Sequence, residues 1–444
     1  MIPAYYILKI RAGADGASLS GTSFGEAGPG VTAALRLMFA EGGTAPQLIR
    51  MVEETEGPEA VTILTYRISR LAQLGLLEYL YMFSDGSSAC LRAASAGFLF
   101  DAVSLQAGQR FVLSASAFLL RRGNAVSIES ASCGTSLEFD SWIPAAILSQ
   151  FASPICPDEV IARLPGSCAS DTAAFSEMLL RAGFLEPPRA DSDSARGLWE
   201  FHDILFHSRS SLPRQGEPFG GMEPHRSPES PALKPPASGE AVILNPPDLA
   251  SLIKTDPPFS WVIENRRSAP QPGADPISLA QLSEFFFRTA HFQTFPQRPL
   301  PGAGARNEIE FYAVVHHCAD LEPGLYHYAA AAHRLYRIRA PGSTTNEIVR
   351  RAGLCWAKGG ASPHVVIVVA ARFGRMASRY AAIAYRNILL DAGIAIHAMY
   401  LVATAMQLAP CALGINVPEL FAEAAGLDAF EETSIALFAL STLP

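Results

Sequence analysis

Two adjacent side chains with complementary chemistry, Arg379 and Tyr380, stand in the stretch "GRMASRYAAIAYRN" that covers residues 374–387. An arginine is a permanent cation that stabilises negative charge, and a tyrosine phenol can donate or accept a hydrogen bond and release its proton. We expect this alanine-rich segment to be helical. On such a helix, the pair is either two surface residues without a functional role or a part of an active site. For an arbitrary tyrosine, a packed ring with a solvated hydroxyl is the commoner situation.

Two further segments carry groups suited to an anionic ligand. The stretch "ENRRSAP" (264–270) contains Arg266, Arg267 and Ser268, and arginine forks bind phosphate in a bidentate manner. The stretch "PLPGAGARNE" (299–308) is rich in glycine, so its backbone can approach a planar or anionic ligand closely. It has neither the GxGxxG pattern between a strand and a helix nor the Walker lysine, which excludes the Rossmann and P-loop interpretations.

Strands and helices of the last 200 residues must position these groups. Hydrophobic periodicity predicts a helix, a strand, a hairpin, a buried strand and one or two long buried helices, in the order 277–290, 309–317, 324–339, 364–373 and 378–409. A sheet covered by helices follows from this order. The apolar window 394–415 is about long enough to cross a bilayer, but it carries His397, Gln407 and Pro410, so we expect a helix of a large core.

The first 190 residues contain two similar units about 110 residues apart. Each pairs helical apolar patterns and ends on a Gly-containing sequence, "LAQLGLLE" and "LLRAGFLE", where Gly75 and Gly183 are suited to a helix C-cap. Strand-like segments adjoin each unit, so we predict two winged-helix-like modules, 1–100 and 105–188. Acidic residues outnumber basic ones here, which argues against DNA and favours peptide binding or subunit packing.

Between these modules and the carboxy-terminal domain predicted at 248–444 lies a Pro-, Ser- and Gly-rich arm, 189–247, where regular structure is not expected. Within it, "LWEFHDILFHSRSS" (198–211) has aromatic residues that would anchor it to a folded surface. Its His202 and His207 are five residues apart, which does not place both rings on one helical face, so we expect no metal site.

Bulk composition limits the possible partners and compartments. The 444 residues are 49% hydrophobic and 17% charged, and the net charge of -8 gives no electrostatic case for nucleic acid. Seven scattered cysteines lack the spacing of a zinc site or redox pair and are typical of reduced thiols in a cytoplasmic protein. The amino-terminal segment has no signal-peptide pattern, and we expect no membrane association.

Several long segments, taken in order, resemble the SagB/ThcOx branch of the nitroreductase-like flavoproteins, which includes McbC-like azoline oxidases. The similar segments, which span nearly the whole chain, include "RFVLSASAFLLRRG", "AVSIESAS", "LWEFHDILFHSRS", "DPPFSWVIENRRS", "EFFFRTAH", "GLYHYAAAAHRL", "VVAARFGRM", "YLVATAMQLAPCALG" and "LFAEAAGLD". The resemblance implies a homodimeric α+β nitroreductase fold with FMN at the dimer interface. It also implies a modified peptide or small azoline as substrate, a cyclodehydratase as a possible partner, and amino-terminal modules that recognise a leader peptide or pack.

The same resemblance assigns residues to the site. It implies that Arg266, Arg267 and Ser268 hold the FMN phosphate and ribityl chain. The remaining cofactor residues would be Pro301, Gly302, Ala303 and Gly304 near the isoalloxazine, and Ala412, Leu413 and Gly414 at the phosphate end. Arg379 and Tyr380 would be the catalytic pair, in the place of a family Lys–Tyr pair.

Oxidation of a thiazoline or oxazoline to the aromatic ring removes the proton on Cα and a hydride, which the resemblance assigns to flavin N5. Because arginine does not deprotonate, Arg379 would stabilise negative charge and leave proton transfer to Tyr380. Besides Arg379, the chain differs from the family pattern at Pro270, at Gly302, where the pattern has a serine, and in the segment "SIALF" (434–438). Two alternatives stay open: another flavin reaction on a small substrate, or a flavin-less binding or scaffold subunit of a biosynthetic complex.

Overall fold

The computed structural model describes residues 3, 5–11, 27–93, 98, 100, 108–131, 133–188, 198–211, 230–356 and 361–444. The chain divides into two compact units, 1–218 and 219–444. Residues 189–197 and 212–229 of the predicted arm lie outside the described residues.

A seven-stranded antiparallel sheet, flanked by helices, forms the core of the first unit. Its strands run in the order β2-β1-β3-β4-β8-β7-β6, so both predicted modules contribute strands to one sheet. The strands and helices are β1 (Ile7–Ile10), α1 (Pro29–Ala40), β2 (Gly43–Thr44), α2 (Ala45–Glu56), α3 (Pro58–Gln73), β3 (Leu77–Met82), β4 (Ser88–Ala93), β5 (Val112–Leu113), β6 (Ala117–Arg122), β7 (Ala125–Ser130), β8 (Thr135–Phe139), α4 (Trp142–Gln150), α5 (Pro157–Arg163), α6 (Ala169–Arg181), β9 (Leu185–Glu186) and α7 (Phe201–Ser211). The winged-helix interpretation and the boundaries at 100, 105 and 188 stay predictions.

Part of the arm has regular structure, because α7 forms within the aromatic segment. The ring of Phe201 meets that of Phe118 edge-on at 5.8 Å between centroids, and Arg209 is ion-paired with the fully buried Glu129. Trp199 remains about half exposed. Among the described residues, no group of three or more His, Cys, Asp or Glu is arranged to hold a metal ion.

The second unit is built on another seven-stranded antiparallel sheet, in the order β10-β15-β14-β12-β16-β18-β17. Its elements are β10 (Ala241–Ile243), α8 (Leu249–Thr255), α9 (Phe259–Asn265), β11 (Ile277–Ser278), α10 (Leu279–Ala290), β12 (Ile309–Val315), β13 (Cys318–Ala319), β14 (Gly324–Ala329), β15 (Arg334–Arg339), α11 (Ser343–Cys355), β16 (Val365–Arg372), α12 (Phe373–Ala377), α13 (Ala384–Ala405), β17 (Leu408–Ala412), α14 (Pro418–Ala425) and β18 (Glu432–Thr442).

Both faces of this second sheet are covered, which explains the uninterrupted apolar sequence of its central strands. On β12, Phe311 and Ala313 face one apolar cluster, which α10 and α13 share, while Tyr312 and Val314 face the other, which α11 and α14 share. Residues alternate between faces because the side-chain period of a strand is two. The predicted α+β class, with a sheet sandwiched by helices, is confirmed.

Helix α10 begins where its sequence indicates. Ser278 is the N-cap: its Oγ accepts from the amide of Gln281 at 3.1 Å, and the Gln281 side chain accepts from the Ser278 amide at 2.9 Å. This reciprocal capping satisfies two amide groups that the first helical turn leaves unpaired.

Two expectations about the long apolar helix are wrong. Arg379 and Tyr380 do not lie on a helix, because α12 ends at Ala377 and α13 begins at Ala384, which leaves the pair in the turn between them. The apolar window 394–415 is also not one helix: α13 ends at Ala405, Gln407 adopts a positive φ of 53°, and the chain returns as β17 against β18. Of the helices in the described residues, α13 is long and apolar enough to cross a membrane, and it packs its buried residues into the core beside the sheet.

Candidate active site

Tyr400 on α13 joins two of the predicted cofactor segments. Its hydroxyl lies 2.7 Å from Ser268 Oγ and accepts a hydrogen bond from the Ala412 amide at 2.8 Å. The guanidinium of Arg266 lies over the Tyr400 ring, 5.3 Å from its centroid. The structure therefore brings Arg266, Ser268 and Ala412 together around one phenol, and we call this group the tyrosine cluster.

Backbone contacts fix the arginine-bearing segment beside β17. The Ala269 amide donates to the Pro410 carbonyl at 2.8 Å, and Trp356 Nε1 donates to the Ala269 carbonyl at 2.6 Å. Because Ala269 is held on both sides, the preceding residues enter the cluster in one orientation. Arg266 is half-buried while Arg267 and Ser268 are exposed, so these side chains border solvent where a ligand can reach them.

The remaining predicted residues at this end differ in what they offer a ligand. The amide of Ala412 is used by Tyr400, and that of Leu413 donates to the Leu437 carbonyl at 2.9 Å. Gly414 is exposed. Anion binding here therefore depends on the side chains of Arg266 and Ser268 more than on amides of the 412–413 backbone.

The glycine-rich loop and Tyr380 form a second group. Gly304 has a φ of +57°, and a methyl group placed on it would lie 2.5 Å from the Tyr380 hydroxyl oxygen. A side chain at this position would displace the phenol as well as strain the backbone. The structure thus confines Tyr380 to the loop that the sequence analysis assigned to the planar part of a cofactor.

An aspartate on α13 supports this loop from the protein side. The Ala303 amide donates to Asp391 Oδ2 at 2.9 Å, and Gly302 is close enough that a methyl group there would lie 3.2 Å from the same oxygen. Pro301 and Gly302 are exposed. Arg379 is partly exposed, and its side chain has no hydrogen-bond or ion-pair partner among the described residues, so its charge is available to a bound anion.

Behind the loop, Glu308 and Asp391 form a buried pair of carboxyl groups. Glu308 is 1% exposed, its Oε1 has no hydrogen-bond partner among the described residues, and its pKa is raised, first by burial and then by the hydrogen bond to Asp391. Burial disfavours the charged form of Glu308, so Glu308 retains its proton at pH values where an ordinary glutamate has lost it.

This pair gives the unit a specific pH dependence. Because the native state holds the Glu308 proton above the pKa of 4.5 that a free glutamate has, the native state binds more protons than the unfolded state and its stability falls as pH rises through that window. This loss in the free energy of unfolding is about 1.4 kcal/mol for each unit by which the pKa of Glu308 is raised. Replacing Glu308 by glutamine should therefore make the free energy of unfolding less dependent on pH. The measurement is chemical denaturation followed from about pH 5 to about pH 9.

The matched control is Glu347→Gln, which removes an exposed carboxylate on α11 that pairs with Arg350 and Arg351. Those arginines hold the pKa of Glu347 at about 2, so it stays ionised throughout the measured range and its removal should leave the slope intact. An unchanged slope in Glu308→Gln would contradict the assignment.

The sequence analysis missed Tyr400, Asp391 and Glu308. Asp391 had a usable signal, because it is the only acidic residue between Ala384 and Ala405. Asp391 and Tyr400 are nine residues apart on α13, about 13 Å along the helix axis. The predicted residues therefore form two groups, the tyrosine cluster around Tyr400 and the Gly304–Tyr380 group beside the loop that Asp391 supports, and both groups are positioned by side chains of α13.

Two regions of the chain match models of known protein families. Residues 263–440 match the model of the nitroreductase family, and residues 111–216 match that of the cyanobactin oxidase ThcOx. A protein of Methanocaldococcus jannaschii named as a nitroreductase is 27% identical over 158 residues, which cover 34% of this chain and 76% of that protein.

One solved structure similar to this chain is a protein of Ralstonia eutropha JMP134 named as a nitroreductase. It is 21% identical with a TM-score of 0.40, and the similarity covers 50% of this chain and 98% of that chain. Another is a chain of the Escherichia coli microcin synthetase McbBCD complex with truncated pro-MccB17 bound. It has 18% identity and a TM-score of 0.35, with 46% of this chain and 85% of that chain covered.

Proposed function

We propose that this chain, an oxidoreductase of the SagB/ThcOx type with a nitroreductase-family domain at 263–440, is an FMN-dependent oxidase that converts azoline rings of a modified peptide to aromatic azoles. The observation that carries the proposal is the tyrosine cluster. It presents a guanidinium and a hydroxyl at the solvent border, positioned by Tyr400 of helix α13, and these are the groups that a phosphorylated cofactor requires.

The residues present fit FMN at both groups. Arg266 has no carboxylate partner among the described residues, so its charge is free to pair with a phosphate, and Ser268 adds a hydroxyl next to it. The glycines of the 302–304 loop leave its solvent face open to a planar ring. Arg266, Arg267 and Ser268 would hold the phosphate and ribityl chain, and the 301–304 loop would adjoin the isoalloxazine.

Bound FMN supplies a two-electron acceptor that takes the hydride lost when an azoline becomes aromatic. The protein must accept the accompanying proton and stabilise negative charge. Tyr380 is the proton-transfer group, held against Gly304 by the close approach of its hydroxyl. Arg379, the adjacent cation without a partner in the described structure, stabilises the negative charge that develops in the site.

The peptide substrate is proposed from the similarity of residues 111–216 to the cyanobactin oxidase and from the microcin complex, which was solved with a truncated pro-peptide. A cyclodehydratase that installs the azoline is the corresponding partner, and the first unit would recognise a leader peptide or pack in the complex. Free thiols at all seven cysteines are consistent with a cytoplasmic site of action.

A homodimer is proposed from the exposed apolar side of α13. Leu389, Leu390 and Ile394 are between about one third and three fifths exposed, and Tyr385 lies one turn earlier. A contiguous apolar surface on a helix is usually covered by a partner. Pairing of two copies along this side would also bring the cofactor residues of two chains close to each other.

Two measurements test the proposed function. Visible absorption of the purified protein, or titration with FMN, reports cofactor binding, and a colourless protein that binds no FMN would refute a flavin enzyme. Incubation of FMN-loaded protein with an azoline peptide should remove two hydrogen atoms per ring, measured by mass spectrometry. Flavin binding without this loss would favour a different flavin reaction.

That second candidate, a flavin reaction on another small substrate, is favoured by one observation. Arg379 stands where the resemblance places a lysine, and arginine cannot act as a proton donor or acceptor at neutral pH. Comparing Arg379→Lys with the natural protein on azoline peptides distinguishes the two, since a gain of azoline oxidation in the variant assigns the natural protein to other chemistry.

Arg266→Gln should weaken FMN binding about 10- to 100-fold, because it removes one charge-assisted hydrogen-bonding partner of the phosphate. Fluorescence titration of apoprotein with FMN measures the affinity, and riboflavin, which lacks the phosphate, should bind both proteins alike. Arg334→Gln, which removes an exposed arginine of β15, is the control. Equal FMN affinity in Arg266→Gln and Arg334→Gln would show that the tyrosine cluster does not hold the phosphate.

A further inference from the structure

A cavity of 260 Å³ lies within the carboxy-terminal unit and is lined on one side by the segment 232–236. None of the residues assigned above to FMN or to catalysis lines its described wall. The charged and polar side chains that line it are Lys234, Arg298, Asn307, Glu310, His327 and Arg372. The apolar part of the lining includes the Phe292 ring and the alanines 329–332.

The cations in this wall differ in their ion pairs. Lys234 is ion-paired with Glu432, and Arg372 Nε lies 2.9 Å from Glu310 Oε1, so two cations have carboxylate partners. Arg298 has none among the described residues; its Nη1 donates to the Ile309 carbonyl at 3.0 Å, and its guanidinium lies 5.5 Å from the centroid of the Phe292 ring. Arg298 is therefore the arginine of this wall without an ion pair to a described residue, and the carboxyl groups of Glu308, Glu310 and Asp391 act on it only from a longer distance.

Three polar atoms of residues that line the cavity form no hydrogen bond to a described residue, and one of them, Arg372 Nε, is the atom ion-paired with Glu310. Arg298 Nε and His327 Nδ1 are both buried without a hydrogen bond to any described residue, and His327 as a whole is 1% exposed. The other ring nitrogen of His327 lies 3.5 Å from Glu310 Oε2, which fixes the ring. Buried polar groups are nearly always hydrogen-bonded, and leaving a buried charge uncompensated is costly.

We propose that this cavity binds a small carboxylate, with the carboxylate group on Arg298 and the hydrocarbon part against Phe292 and the alanine run. A planar carboxylate matches the fork of an arginine, and it would accept a hydrogen bond from Arg298 Nε, which has no partner among the described residues. The volume admits about eight or nine water-sized groups, which is enough for an acid of two to five carbons.

The segment over the cavity is anchored by the same charged groups. Arg372 donates to the carbonyls of Pro231 and Ala232 at 2.7 and 3.0 Å, and Lys234 lies 5.5 Å from the centroid of the Tyr312 ring. These bonds hold residues 231–234 as one wall of the site, so the cavity is a built feature of the folded unit.

The test is calorimetric titration of the full-length protein with acetate, propionate, acetamide and nitrate at constant ionic strength. We expect saturable binding of acetate and propionate, none of acetamide, which has the shape without the charge, and about tenfold weaker binding of nitrate. Nitrate that binds as well as acetate would replace the carboxylate assignment with a general anion site. No saturable binding of either anion would leave only buried water in the cavity and overturn the proposal.

Arg298→Gln should weaken acetate binding at least tenfold, whereas Arg351→Gln, at an exposed arginine of α11, should not change it. If Arg298→Gln does not fold, Ala331→Phe tests whether acetate binds in the cavity. Ala331 lines the cavity and is exposed, so a phenyl group there should fill the space without removing a charge. Unchanged acetate affinity in Ala331→Phe would place binding elsewhere. Because the titration requires no turnover, its failure and the failure of the flavin proposal are distinguishable.

Discussion

Replacing Tyr380 by phenylalanine should lower kcat for ring oxidation by about 10²- to 10⁴-fold, the range over which a positioned acid or base contributes to catalysis. The substitution removes the hydroxyl group that lies against Gly304 and keeps the aromatic ring. That ring is partly buried and packs on the core. FMN affinity and thermal stability should therefore stay close to those of the natural protein, and KM should change much less than kcat.

The measurement is steady-state oxidation of an azoline peptide, with FMN occupancy checked by absorbance for each protein. Tyr336→Phe, on strand β15, removes a hydroxyl of the same kind from a tyrosine outside both parts of the proposed site and should retain full activity. A Tyr380→Phe enzyme that keeps more than about one tenth of the natural kcat would assign proton transfer to another group, because an acid–base contribution is expected to exceed that factor.

Arg372→Gln should lower the free energy of unfolding of the carboxy-terminal unit by about 3–5 kcal/mol, the cost of removing one partner from a buried ion pair. Arg372 is 7% exposed and faces Glu310 at 2.9 Å while it also donates to three backbone carbonyls, those of Pro231, Ala232 and Asn307. Without Arg372, the Glu310 carboxylate and these three carbonyl groups would lose the guanidinium that pairs with them while they stay largely shielded from water.

Urea denaturation followed by tryptophan fluorescence measures this loss, and Arg350→Gln is the control. Arg350 also forms an ion pair, with Glu347, but on the solvent-exposed side of α11, where such pairs contribute little. Equal stability of the two variants would mean that the segment 230–236 is not held to the sheet by Arg372.

Periodicity alone predicted several central elements of the carboxy-terminal domain. The strands at β12 and β16, the β14–β15 hairpin and helix α10 form at the positions that the pattern indicated, and the nitroreductase-like fold inferred from the motif order is confirmed by the match over residues 263–440. These elements were predictable because strands buried on both faces and amphipathic helices have local sequence signatures.

The pattern failed where a long apolar stretch changes direction. Residues 378–415 were predicted to be helical, yet the chain turns at Tyr380 and again at Gln407, because α13 must cross beneath the sheet and return as strand β17 on its edge. Neither turn contains a proline or glycine at the point of reversal, apart from Pro410 inside the returning strand. Local sequence therefore gave no stop signal, and pairing with β18 decided the ending.

By itself the sequence determined the α+β class, the order of the elements, and the types of side chain at the candidate site: Arg266, Ser268, the glycine loop, Arg379 and Tyr380. The tertiary structure decided which of these meet. It placed Tyr400 between Ser268 and Ala412, Asp391 under the loop, and Tyr380 against Gly304, contacts between residues 12 to more than 100 positions apart. Such contacts depend on how α13 packs on the sheet, which no local pattern encodes.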